Sequence, residues 1–79
     1  MTEIDKLRAL LPHWIEHNQE HAGDFERWAD TAEQAGHHVA AALIRQATGQ
    51  VQRANKDLEK ALDALGGAVS LQGHHHPHE

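Results

Sequence analysis

Three histidines within the run His13-Trp14-Ile15-Glu16-His17-Asn18-Gln19-Glu20-His21 are the residues best suited to chemistry in this chain. They fall at i, i+4 and i+8, within about 80° on one face of a helix. Imidazole is the commonest protein ligand for metal ions, and two histidines four apart on a helix can chelate one ion. A hydrolytic zinc helix places glutamate directly after its first histidine; here Trp14 follows His13 and Asn18 follows His17. The spacing therefore points to metal binding rather than hydrolysis. His13 and His21 are about 12 Å apart along a helix axis, so one straight helix supplies two ligands to an ion readily and three with difficulty. Further ligands are expected from a second chain, and a two-fold axis near His17 would set His13 of one chain opposite His21 of the other.

A second histidine group, His74, His75, His76 and His78, lies at the C-terminus, a short His-rich tract that reads as a weaker metal site. Its bland reading is a purification tag, against which the interrupting Pro77 and the terminal Glu79 argue. His37 and His38 form a third group, for which a solvated helix start is as good a reading as a ligand role. For the first group the bland reading is a row of core histidines bonded to neighbours. Each buried imidazole needs partners for both ring nitrogens, and a stripe otherwise made of Trp, Phe and Ala offers few.

The elements that must position these groups are helical. No segment alternates with period 2, and Ala, Leu, Glu, Gln, Lys and Arg dominate. Thr2 with Asp5 three residues on predicts an N-cap, and Pro12 predicts a break or kink at Leu11-Pro12. A main first helix is then expected from about Pro12 to Ala35, stopped by Gly36. On it Trp14, His17, His21, Phe25, Trp28, Ala32 and Ala35 fall within about 40–120° of His13, so the apolar stripe and the histidine stripe are predicted to be one. A second helix is expected from His37 or His38 to Leu65. Its predicted seam is Ala40, Ile44, Ala47, Val51, Ala54, Leu58, Ala61 and Leu65, an unbroken 4-3 repeat. The expected fold is all-α: an antiparallel helical hairpin over residues 1–67 that assembles as a dimer or larger helical bundle, followed by a His-rich tail over 68–79.

Composition bounds the function. The chain has 79 residues, no Cys and a net charge of −5. It is one domain without disulfides or thiolate metal sites, and its acidity argues against a nucleic-acid partner. No apolar run reaches membrane-spanning length and no secretory signal opens the chain, so a cytoplasmic protein without a membrane partner is expected. No nucleophile–base pair or phosphate loop suggests an enzyme. A domain this small needs a metal, a partner subunit or well-packed long helices for stability.

The pattern His-Trp-x-x-His-x-x-x-His, here His13, Trp14, His17 and His21, resembles the nickel-binding motif of the histidine-rich accessory proteins of carbon monoxide dehydrogenase maturation, the CooJ family. The setting is similar too: a helical dimerising region followed by a His-rich tail. The resemblance implies Ni(II) at a dimer interface and a metallochaperone or nickel buffer that serves a nickel enzyme as client. From the ligands alone Zn(II), Cu(II) and Co(II) are open as well. The rival expectation is a structural coiled-coil dimerisation module whose histidines are incidental or sense pH.

Overall fold

A computed structural model describes residues 2–69 as two helices, α1 (Glu3–Gln34) and α2 (His38–Ala64), packed antiparallel. Among these residues there is no strand. The expected all-α helical hairpin is the fold.

Local chemistry sets each helix end. Thr2 closes a capping box: its hydroxyl accepts from the Asp5 amide at 3.0 Å, and the Asp5 carboxylate accepts from the Thr2 amide at 3.4 Å. Glu3 and Asp5 also oppose the positive end of the helix dipole. At the other end Gly36, at φ +90°, takes a conformation that a side chain would strain. It lets the His37 amide reach the Ala32 carbonyl at 2.8 Å and its own amide reach that of Glu33 at 3.0 Å. α2 ends the same way, with Gly66 at φ +104° and the Gly67 amide on the Leu62 carbonyl at 2.9 Å. Arg8 then reaches across from α1. Its Nε donates to the Gly67 carbonyl at 2.7 Å and a terminal nitrogen to that of Gly66 at 3.1 Å, closing the open end of the hairpin.

The predicted break at Pro12 is not there, since α1 runs through it. Proline removes one backbone donor. The capping box starts the helix nine residues earlier, however, and buried Leu11 with half-buried Leu7 and Ile15 holds both sides of Pro12 against α2.

The seam also differs from expectation, by one position on each helix. In α2 the buried residues are Ala41, Thr48 and Asn55, flanked by half-buried Ile44, Val51, Leu58, Leu62 and Leu65. Ala40, Ala54 and Ala61 are exposed. In α1 the buried residues are Leu11, Ala22 and Ala29, with Ile15, Asn18 and Phe25 half-buried, while Trp14 and Trp28 stand 40% and 65% exposed. The aliphatic half of the predicted α2 seam is thus shared. The alanine half gives way to Thr48 and Asn55, whose polar groups are satisfied inside the seam. Thr48 donates to the Ile44 carbonyl at 3.1 Å; Asn55 donates to the Ile15 carbonyl at 2.9 Å and accepts from Asn18 at 2.9 Å. No buried side-chain polar atom lacks a partner among the described residues.

The hairpin is 14 Å across at its thinnest, one helix thick, so it has two broad faces. On one, Arg45 of α2 bonds Asp30 and Glu33 of α1, and Gln19, Gln52, Lys56 and Glu59 surround a shallow polar groove. Residues on the other flank of each seam form the opposite face: Leu10, Trp14, His17, His21 and Trp28 from α1, with Leu43 and the displaced alanines from α2.

The Asn18–Asn55 pair should be a main determinant of stability. Asn55→Ala strands the Asn18 amide and should cost about 1–3 kcal/mol. The readout is a lowered urea midpoint at fixed protein concentration with an unchanged slope; an unmoved midpoint would mean the pair contributes nothing.

Candidate metal centre

α1 places His13, His17 and His21 on the second face, all exposed, in a row that continues into Phe25. Successive ring centroids are 6.3 Å apart for His13–His17, 4.6 Å for His17–His21 and 6.2 Å for His21–Phe25. The row is uneven. His17 and His21 form the close pair, and His13 stands off from it. Because each step of four residues also rises about 6 Å, the rings line up rather than surround a point. Among the described residues no three His, Asp or Glu side chains converge to hold a metal ion.

A row of acids runs beside the histidines at the same spacing: Glu16, Glu20 and Asp24, each three residues after a histidine. His13, Glu16, His17 and Glu20 line a shallow groove of about 260 Å³ on the solvent side of α1. Asp24 is paired with Arg27. Nearby carboxylates raise the local concentration of cations and can orient imidazole ligands.

The predicted site residues therefore separate into three groups. His13, His17 and His21 share one exposed face with Trp14. His37 and His38 stand at the turn, roughly 20 Å along α1 from His21. There His38 Nδ1 meets the Glu33 carboxylate, which also accepts from Arg45 at 3.0 Å, while Arg45 reaches Asp30 at 2.9 Å. Hydrogen bonds from Arg45 first, and then His38, hold the Glu33 carboxyl below its ordinary range, and Asp30 and Glu33 raise the Arg45 guanidinium. His38 thus secures the turn. The tail group, His74, His75, His76 and His78, lies outside the described residues.

Sequence reasoning did not find the Arg45 network, the Arg8 clamp or the Asn18–Asn55 pair. The amide pair left one signal, since Asn18 and Asn55 occupy seam positions of a 4-3 repeat. The two arginines left none, because their partners come from the other helix.

Fold and site define a two-helix hairpin that presents an uncovered histidine row. The chain belongs to the family described as "Domain of unknown function (DUF8180)", which matches residues 7–65 and so covers all of α2 and α1 from Leu7 onward. It is also similar to an "Uncharacterized protein" of Archaeoglobus fulgidus, 35% identical over 63 residues that make up 80% of this chain and 100% of that relative. No solved structure matches it. No helix among the described residues is long and apolar enough to cross a membrane.

The Glu33 network predicts a pH effect at the turn. A lowered carboxyl pKa in the folded state gives stability above the ordinary carboxylate range that is lost as pH falls through the folded value. By NMR titration the Glu33 carboxyl should have its midpoint below that of a free glutamate, and Arg45→Gln should bring it back toward the ordinary range. An identical midpoint in both proteins would remove Arg45 as the cause.

Proposed function

We propose that this protein binds a divalent transition metal, nickel first, through the histidine row of α1 at the interface of two hairpins, and acts as a metallochaperone or nickel buffer for the maturation of a metalloenzyme. The observation that carries the reading is the placement of His13, His17 and His21. They are exposed on the same face as Trp14, Trp28 and Leu43, which are 40%, 65% and 59% exposed. Large apolar residues gathered on one face mark an interaction surface. Imidazoles in that surface acquire further ligands when a second copy covers it, and among the described residues a single hairpin offers no convergent set of its own. The resemblance of the His-Trp-x-x-His-x-x-x-His pattern to the nickel accessory proteins supports nickel as cargo. Imidazole donors suit nickel, copper and zinc alike. The second reading, a dimerisation module, rests on the same exposed face without the metal.

Equilibrium dialysis against Ni(II), with residues 68–79 removed to take away the tail histidines, separates the two. The metal reading predicts one tight ion per two chains. Imidazole coordinates only as the neutral base and titrates near neutral pH, so affinity should fall steeply from pH about 7.5 to about 5.5. Absence of a retained tight site leaves the dimerisation module. A pH-independent site excludes histidine ligation.

Tryptophan emission gives an independent check, since Trp14 follows His13 and shares the face of His17 and His21. Ni(II) or Cu(II) should quench it far more than Zn(II), and His17→Ala should abolish the effect. Quenching that survives His17→Ala puts the metal elsewhere.

A further inference from the structure

The histidine face is arranged so that a second copy of the chain fits it in one register. α1 runs Glu3–Gln34, which puts its midpoint between Asn18 and Gln19. Along the face Leu10, Trp14, His17, His21, Asp24 and Trp28 recur at steps of 4, 3, 4, 3 and 4, the spacing of helices that interdigitate. Two antiparallel copies mesh with nearly complete overlap when His17 of one faces His21 of the other. The two-fold axis then passes level with Gln19, within one residue of the helix midpoint. In this register Leu10 faces Trp28 of the second copy, a pair of large apolar groups at each end of the row, and Trp14 faces its Asp24.

The second helix reaches the same axis independently. Asn18 is bonded to Asn55, so Gln19 of α1 stands level with Ala54 of α2. Ala47 and Ala61 lie at equal distances on either side of Ala54, and Leu43 and Leu65 at equal larger distances. One two-fold through Gln19 and Ala54 therefore sets Ala54 against its own copy and Ala47 against Ala61. Small residues meet small residues along α2, which lets those backbones approach closely. An axis through His17 would instead run level with Lys56 and set Ala47 against Leu65.

We propose that two hairpins dock through this face about a two-fold axis passing between His17 and His21, so that the metal is held by His17 and His21 of both copies and His13 stands outside the site. The ligand assignment rests on the metal-binding reading above; the docking register does not. His17 and His21 each lie two residues, about 3 Å of rise, from the axis, whereas His13 lies about 9 Å away. The ring spacing agrees, 4.6 Å within the pair and 6.3 Å out to His13. Four imidazoles complete the shell of a four-coordinate ion. The two copies of Glu20 come level one residue from the axis, on the solvent side. In a chain of net charge −5 their repulsion opposes docking without metal, and a divalent cation offsets it. Metal then tightens the dimer by mass action.

The chain has no cysteine, so single substitutions in the full-length protein read the register directly. Under mild oxidation Ala54→Cys should give a covalent dimer, because its Cα meets its own copy within disulfide range. Ala61→Cys alone should not, its copy being about 20 Å away, but an equimolar mixture of Ala47→Cys and Ala61→Cys chains should cross-link. Cross-linking by each variant alone would mean parallel pairing, and no cross-linking would mean a different interface; either overturns the register. The ligand assignment is read by Ni(II) quenching of Trp emission. His17→Ala and His21→Ala should each weaken binding at least about 100-fold and His13→Ala less than about 5-fold. Equal losses at all three positions overturn it. An Ala54→Cys chain that cross-links, with no nickel bound by the wild-type chain, overturns the metal reading and upholds the docking. Nickel binding by the wild-type chain with no cross-link in the Ala54→Cys chain does the reverse.

Discussion

The amide pair of Asn18 and Asn55 fixes which residues of the two helices stand level, and the position of every other group follows from it. A seam of alanines and aliphatic side chains can slide by a heptad at small cost, because each layer resembles the next. The Asn55 amide reaches both the Asn18 side chain and the Ile15 carbonyl at 2.9 Å. A slipped register would bury these groups without partners, which costs more than the layers it exchanges. With the register set, Arg8 meets the glycine carbonyls at the end of α2 and Arg45 meets Asp30 and Glu33. The contacts at both ends of the hairpin depend on the pair near its middle.

The second constraint is thickness. A hairpin one helix thick buries one narrow seam and leaves two faces in water. Here the faces differ in kind. One is laced by ion pairs across the helices; the other carries indole rings, imidazoles, Leu43 and alanines. An exposed apolar face of this kind costs free energy in water and is the kind of surface that marks an interaction site. Under the proposed function histidine suits such a face, since a neutral imidazole is apolar enough to be covered and can supply a ligand.

Much of this was legible in the sequence, and the misses have physical causes. The Thr2 cap, the Gly36 stop and the 4-3 repeat of Ile44, Val51, Leu58 and Leu65 act locally, so they can be read locally. The flank of that repeat that turns inward cannot be read from hydrophobicity, because alanine is nearly neutral. Ala40, Ala47, Ala54 and Ala61 look like a seam beside Ala41, Thr48 and Asn55, and only cross-helix hydrogen bonds make the polar set the buried one. The same ambiguity merged the histidine stripe with the core of α1. The stripes are neighbours that share Phe25 and Ala32, the core being centred on Leu11, Ala22 and Ala29. Pro12 misled for a related reason: its local cost is real, and tertiary burial of Leu11 outweighs it. His13, His17 and His21 line up along α1 whichever seam is chosen, because i, i+4 spacing does not depend on which flank turns inward.

The account turns on a metal ion held between two hairpins by histidines of α1. Anomalous scattering at the nickel absorption edge, from crystals of the nickel-loaded protein, tests that most directly. The account predicts one strong peak on a two-fold axis between α1 helices, about 2.1 Å from imidazole nitrogens of both chains. Anomalous peaks confined to the C-terminal histidines, or bound to the α1 row of a single chain with no second copy facing it, would contradict it.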